Sequence, residues 1–330
     1  MSIKIIHEMT GFSHSTISRV LNGKAKEFRI SDGACKTIWK AAEEINYRPS
    51  MLARALRLKK TMSIGLIVPD IKNPFFGELA WRIEIRLRAE GYSTIICNTD
   101  SVPANEKSYL RTLSDREVDG VLLVPIHSRE WGELEEISQR KSVVLIVRSL
   151  NNTSLPCVIS NNLQAAQDLT SEVINLGYSR IGFLGGTPGS FINKSRLQGY
   201  QNALKASRLP YEEKRVLCES FSIDAGERMM NALLQSSPDI DAVFCVNNLV
   251  FLGAMKAMNQ SASGVRERIM MAAFDIARHS GLFYRPMISA TQNLAALTEK
   301  GVSLLLDAIG RHPVAHCPVS LPVQIEKYHI

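Results

Sequence analysis

The chain has 330 residues, of which 45% are hydrophobic and 22% charged, the balance of a soluble globular protein of two or three domains. No apolar run reaches the roughly 18–20 residues of a membrane span, and no basic stretch followed by an apolar core opens the chain as a secretory signal would. Six scattered cysteines (Cys35, Cys97, Cys157, Cys218, Cys245, Cys317) form no C-x-x-C pair, which argues against a disulfide scaffold or a cysteine zinc site and fits a reducing cytoplasm. The net charge of +7 resides in residues 1–60, where twelve Lys or Arg stand against five acids, while the rest of the chain balances. A solubilising tail would be polar throughout. This segment is apolar at helical spacing instead, which points to a nucleic-acid-binding module.

Ile3, Ile6 and Met9 predict a first short helix, ended at Gly11. Ser13 is placed to cap a second helix, on which Ile17, Val20 and Leu21 form an inward i, i+3, i+4 stripe. His14, Ser15 and Arg19 then lie on its outer face, near its start. Ser31 can cap a third helix with Ile38, Ala41, Ala42 and Ile45 as its buried stripe. Two short helices around a Gly-containing turn, then a third, have helix-turn-helix geometry, in which the start of the second helix meets base edges. Arg19 can reach guanine O6 and N7 bidentately, and His14 and Ser15 carry groups for base edges or phosphates. A small helical bundle with a merely wet polar face has the same periodicity. After Pro49, residues 50–57 read as a helix of about two turns, marginal alone in water. They form either a linker or a segment that folds on DNA, where Leu56 would wedge between minor-groove base steps.

Beyond Lys60 the pattern changes to alternating strands and helices. Apolar β-rich runs lie at Ile64–Val68, Thr94–Cys97, Val121–Val124, Val143–Val147, Ile181–Leu184, Ala242–Val246 and Met270–Phe274. Helical stretches such as Phe75–Glu90, Ala104–Arg116, Leu163–Leu176 and Arg196–Ala206 separate most of them. Alternating βα units imply parallel sheets covered on both faces, and this many strands suits two doubly wound sheets better than one. Ligands of such folds bind outside the carboxyl ends of strands. Arg196, a charged fork, Asp275, an acceptor for adjacent hydroxyls, and Asn247, both donor and acceptor, are the strand-end candidates. Each has a plainer reading: Arg196 as a pairing group at a helix start, Asp275 as a structural residue. The loop Gly185-Gly186-Thr187-Pro188-Gly189-Ser190 could cradle a phosphate, although an ordinary βα turn is the better expectation.

The run Gly11-Phe12-Ser13-His14-Ser15-Thr16-Ile17-Ser18-Arg19-Val20-Leu21-Asn22-Gly23 closely resembles the helix-turn-helix of the LacI/GalR family, and Tyr47–Leu56 resembles that family's hinge helix. The resemblance implies base reading by His14, Ser15 and Arg19 and phosphate-facing roles for Thr16 and Ser18. Ser13 and Asn22 join them as DNA-contact candidates. Ala53 and Leu56 match the minor-groove positions, with Leu56 at the centre of a palindrome. Ile5-Ile6-His7 stands where the family has Asp-Val-Ala. The stretch Asn22–Ser31 is longer than the commonest form and looks like that of the fructose and sucrose repressors.

The resemblance continues through Ile64–Phe76, Val118–Val121, Gly177–Ile181, Ser195–Tyr200, Ala242–Asn248 and Ala273–Asp275. It implies an α/β fold with an N-terminal helix-turn-helix domain and a two-lobed periplasmic-binding-protein-like core of doubly wound parallel sheets. The implied division is residues 1–48 for DNA binding, 49–60 for a hinge and 61–330 for the core. One lobe would comprise about 61–160 and 291–321, the other about 161–290 and 322–330, with crossings near Ser160–Asn161, Ala290–Thr291 and Leu321–Pro322. Phe75 and Phe221 match aromatic positions that pack on an effector, although Phe75 could equally be core. Val147, Asn161 and Asn248 stand where the family usually has Asp, which favours an anionic sugar over a plain polyhydroxyl one.

No H-E-x-x-H, G-x-x-x-x-G-K-[ST], G-x-S-x-G or strand-linked G-x-G-x-x-G occurs, and the seven histidines show no metal spacing. A sugar-metabolising enzyme would not place a basic helix-turn-helix ahead of its sheet. A periplasmic-type sugar-binding protein would share the core but has no use for residues 1–60. The expectation is therefore a cytoplasmic, non-enzymatic transcriptional regulator without cofactor or metal, and the resemblance implies a repressor. It would act as a homodimer on a near-palindromic double-stranded operator, with a small effector, a sugar or sugar phosphate related to fructose, bound between the lobes.

Overall fold

The computed structural model describes residues 3–47, 60–126, 132–151, 153–261, 263–276, 286–314 and 318–329. The chain forms two compact units, Met1–Met62 and Ser63–Ile330.

In the first unit, α1 (Ile3–Thr10), α2 (His14–Leu21) and α3 (Asp32–Glu44) enclose a small core of Ile6, Ile17, Val20, Leu21, Ile38, Ala41 and Ala42. Ser13 caps α2 by accepting from the Thr16 N–H at 3.2 Å, and Ser31 caps α3 by accepting from the Ala34 N–H at 3.3 Å. These bonds satisfy donors that a helix start leaves open, which is why short polar residues stand at both positions. With eight residues each, α1 and α2 owe their stability to this packed face rather than to propensity.

The second unit holds two six-stranded sheets. Its elements in chain order are β1 (Ser63–Val68), α4 (Pro74–Ala89), β2 (Ser93–Asn98), α5 (Pro103–Asp115), β3 (Gly120–Leu123), α6 (Gly132–Arg140), β4 (Ser142–Val147) and β5 (Cys157–Ser160). There follow α7 (Asn162–Asn175), β6 (Ile181–Gly185), α8 (Phe191–Ala206), β7 (Val216–Cys218), α9 (Ile223–Ser236), β8 (Ala242–Cys245), α10 (Asn248–Gln260) and α11 (Ser263–Arg268). The chain ends with β9 (Met270–Phe274), β10 (Met287–Gln292), α12 (Leu294–Ile309), β11 (Val319–Leu321) and β12 (Val323–Tyr328). The first sheet has the order β11-β5-β4-β3-β1-β2 and the second β12-β10-β9-β8-β6-β7. All pairings are parallel except β10 with β12.

The central strands β3, β8 and β9 are buried along their whole length, as strands covered on both faces must be. The edge strands β2, β7 and β12 are mixed or half-buried. Strands β5, β7, β10, β11 and β12 escape a search for apolar runs because they are short or carry polar residues.

The chain passes between the sheets after Ser160, after Gln292 and after Leu321. The second passage lies one residue beyond the pair Ala290–Thr291 near which the sequence reading expects it. Those residues still belong to β10, where Ala290 pairs with Ile325 and Thr291 with Gln324, and the antiparallel ladder carries the strand to Gln292 before the turn into α12.

Candidate functional site

Both sheets reverse strand order beside their first strand, between β1 and β3 in one and between β6 and β8 in the other. Crevices at such switch points lie beyond the carboxyl ends of the strands. One cleft collects these ends from both sheets. It encloses about 580 Å3 of open, solvent-continuous space. Pro69 and Asp70 follow β1, Val147 and Arg148 end and follow β4, Asn247 follows β8, and Asp275 follows β9. Phe75, Arg196, Phe221, Asn247 and Asp275, the five effector candidates, all line this cleft.

Arg196 is 2% exposed. Its Nε and Nη2 donate to Asn162 Oδ1 at 2.9 and 2.8 Å, its Nη1 donates to the Val246 carbonyl, and its guanidinium lies 3.4 Å above the Phe274 ring centroid. The fork thus ties α8 to α7 and to the end of β8 while lining the cleft. Burial pushes its pKa down to about 9. The Asp275 carboxylate draws it back up, and Arg148 pushes it further down. At neutral pH the group is still charged.

Asp275 sits at φ +61°. Its carboxylate accepts from the Gln292 N–H at 3.0 Å and from Gln292 Nε2 at 2.6 Å, which joins β9 to β10. Gln292 Oε1 is buried and bonded to nothing among the described residues. Asn247 caps α10 by accepting from the Val250 N–H. Phe75 lies buried at the start of α4, edge-on to Phe76 at 5.1 Å between centroids. Phe221 stays in place because Gly186 has no side chain: a Cβ there would run into the ring. Several donors of the 185–190 loop are already engaged. The Gly186 N–H bonds Asn193 Oδ1, the Ser190 hydroxyl donates to the Thr187 carbonyl, and Ser190 caps α8.

Sequence reasoning missed Arg148, which brings a second guanidinium to the cleft. It lies 5.6 Å from the ring centroids of both Phe76 and Phe221 and makes a long 3.4 Å bond to the Pro125 carbonyl. Burial pushes its pKa down to about 10, offset in part by the carboxylate of Glu106. The residue before it is strained. The Arg148 N–H donates to the Ile146 carbonyl at 2.8 Å, closing a γ-turn with Val147 at φ +69°. A β-branched residue in that region costs on the order of 1–3 kcal/mol, and here the turn aims the following residue at the cleft. The signal was available, since Arg148 follows an apolar run as directly as Asp275 does.

Asn73 and Asn248, whose contact the sequence did not reveal, bridge the two lobes. Asn248 Nδ2 donates to Asn73 Oδ1 at 2.9 Å, with the residues 3% and 5% exposed. Asn73 Oδ1 also accepts from the Phe75 N–H at 3.0 Å, capping α4.

In the first unit, His14, Ser15 and Arg19 are exposed on α2, while Thr16 and Ser18 are half-buried. Ser13 combines its capping bond with contacts to the hydroxyls of Ser15 and Thr16. Asn22 ends α2 and donates to the Ser18 carbonyl at 2.6 Å. His14 packs edge-on to His7. Ala53 and Leu56 lie outside the described residues. Among the described residues no helix is long and apolar enough to cross a membrane.

Residues 61–293 match the family described as "Periplasmic binding proteins and sugar binding domain of LacI family". The chain is 28% identical over 324 residues to the ribose operon repressor of Halalkalibacterium halodurans, spanning 98% of this chain and 95% of that protein. It is 26% identical over 325 residues to the HTH-type transcriptional repressor PurR of Actinobacillus pleuropneumoniae, with 93% and 91% covered. The fold matches that of the transcriptional regulator CelR in a cellobiose complex, with a TM-score of 0.72, 24% identity, and 99% of this chain and 98% of that one covered. It also matches the Cra transcriptional dual regulator of Pseudomonas putida in complex with fructose 1-phosphate, with a TM-score of 0.75, 20% identity, and 81% and 98% covered.

Proposed function

Because the chain belongs to the LacI family, we propose that it is an effector-controlled transcriptional repressor whose helix α2 reads operator bases and whose cleft takes an anionic sugar. The observation that carries this reading is the conjunction in one chain of a capped, basic helix-turn-helix and a two-sheet cleft bearing Arg148, Arg196 and Asp275. The protein works in the cytoplasm as a homodimer on a near-palindromic duplex and catalyses no reaction.

The roles follow from chemistry. On α2, Arg19 reads a guanine edge, His14 and Ser15 meet neighbouring edges, and Ser13, Thr16, Ser18 and Asn22 face the phosphates. In the cleft, Asp275 accepts from adjacent sugar hydroxyls, Asn247 both donates and accepts, and Phe75 and Phe221 cover the apolar face of the ring. Two of the five N–H groups of Arg196 hold no bond among the described residues. Together with Arg148 they offer charge-assisted donors to phosphate, which such forks recognise with geometric specificity. Two buried like charges in one cleft repel, and a bound dianion relieves that repulsion. The ligand therefore has a differential affinity for the closed lobes, the requirement for shifting a conformational equilibrium. The sequence segment with Ala53 and Leu56 couples the effector's choice of state to the DNA.

The test selects a preferred duplex from a random-sequence pool with the full chain. Fructose, fructose 1-phosphate and fructose 6-phosphate are then added while operator binding is followed by fluorescence anisotropy. A phosphorylated sugar should change the affinity at least ~10-fold and fructose much less. A response to fructose alone would leave the regulator and remove the anion; selection of no common sequence would remove the regulator.

A further inference from the structure

The loop between α2 and α3 is closed at both ends. At the first, Gly23 at φ +74° donates to the Val20 carbonyl and Lys24 to the Arg19 carbonyl. At the second, Arg29 at φ +51° donates to the Lys26 carbonyl and Ile30 to the Ala25 carbonyl. Both are the paired bonds that terminate helical turns, so the insertion is a firm turn rather than slack chain. Ala25 and Ile30 pack on the small core of the unit. Phe28 stays outside that core and is 41% exposed. Its contact is with the operator-reading candidate: the guanidinium carbon of Arg19 lies 3.9 Å from the centroid of the Phe28 ring. Arg19 itself makes no side-chain hydrogen bond or ion pair among the described residues.

We propose that Phe28 is a positioning residue for Arg19, a ring that holds the guanidinium in place before DNA arrives. The proposal rests on the reading of α2 as the base-reading helix. A guanidinium over a ring face is held by the ring quadrupole, and its N–H groups remain available for a base edge. A free arginine samples many rotamers and must lose that freedom on binding, whereas a stacked one has already lost most of it. The stack also limits which base pair the fork can reach, so the loop sets selectivity without touching a base. Phe28 carries no charge, so the electrostatic attraction to phosphates does not depend on it.

The experiment uses the full chain and the duplex it selects from a random pool. Arg19→Ala first identifies the base pair whose preference it erases. Phe28→Ala should then bind the selected duplex about 5- to 10-fold more weakly and lose discrimination at that same base pair. Affinity for random duplex, the salt dependence and the melting temperature should stay unchanged, since Phe28 is outside the core. Phe28→Tyr should restore binding and Phe28→Leu should not, because the ring face and not apolar bulk does the holding. In the Arg19→Ala background, Phe28→Ala should have no further effect. The proposal is overturned if Phe28→Ala weakens all duplexes alike, if Phe28→Leu performs as Phe28→Tyr does, or if the Phe28 effect persists without Arg19. Should Arg19→Ala erase no base preference, the reading of α2 falls and the proposal falls with it. An Arg19 effect with an indifferent Phe28 overturns the proposal alone.

Discussion

Replacing Asn248 by Asp exchanges an amide nitrogen for an oxygen at a buried bridge between the lobes. The native amide donates to Asn73 Oδ1 at 2.9 Å. Asn73 cannot answer the change by turning its own amide over, because its oxygen also holds the Phe75 N–H at 3.0 Å and caps α4. The variant therefore sets a carboxylate oxygen against a committed acceptor in a site where both residues are at most 5% exposed. Losing the bond and leaving buried acceptors facing each other costs about 2 kcal/mol. The cleft guanidiniums of Arg148 and Arg196 attract the new charge, so this figure is an upper one. Opening the lobes relieves the clash, and about 2 kcal/mol shifts the open-to-closed ratio roughly 30-fold. Hydrogen exchange of the full chain, compared with wild type at the same pH, should show faster exchange around residues 73–80 and 246–252 in Asn248→Asp. The protonated acid can donate to Asn73, so the difference should shrink as pH falls through the carboxyl range, near or above about 4. Identical exchange at neutral pH, or a difference indifferent to pH, would refute the bridge as a latch.

Arg148→Gln should leave the melting temperature nearly unchanged, since its one side-chain hydrogen bond among the described residues, to the Pro125 carbonyl, is long, and by calorimetry should weaken binding of a phosphorylated sugar more than that of its unphosphorylated counterpart. Arg196→Gln should also unfold the chain earlier, because Asn162 Oδ1 and the Val246 carbonyl lose their donor at about 1–3 kcal/mol each. Affinity for the phosphorylated sugar should hold between about pH 7 and 8.5. It should then fall as pH rises through about 9, where Arg196 discharges first, and about 10, where Arg148 follows; flat binding to pH 11 would show that neither cation is used. Gly186→Ala should displace the Phe221 ring and cost about 1–3 kcal/mol by overpacking, with a loss of effector affinity measured by titration. Ser31→Ala should lower the stability of the first unit by about 1 kcal/mol in chemical denaturation, the value of a lost cap.

Local chemistry and periodicity made the first unit legible. Ser13 and Ser31 stand where cap donors need them, and the stripe of Ile17, Val20 and Leu21 is the face that packs. The same holds for β1, β3, β4, β8 and β9, whose burial on both faces leaves unbroken apolar runs, and for Asp275 and Asn247, polar residues directly after such runs. Where the sequence misled or fell silent, the missing information was a partner far away in the chain. Strand β10 continues to Gln292 because Thr291 and Gln292 pair with Gln324 and Val323, and nothing within β10 announces that ladder. Asn73 and Asn248 meet across 175 positions, so neither could be recognised as half of a bridge. Arg148 carries the same signal as Asp275, a polar residue directly after an apolar run, but its entry into the cleft depends on a strained γ-turn at Val147, a backbone conformation that a valine side chain disfavours and that only the surrounding fold can enforce. The contact between Arg19 and Phe28 spans nine residues, yet it depends on a loop closed by left-handed backbone at Gly23 and at Arg29. The glycine could be anticipated, because it tolerates that conformation freely. The arginine could not, because the packing of Ala25 and Ile30 decided it.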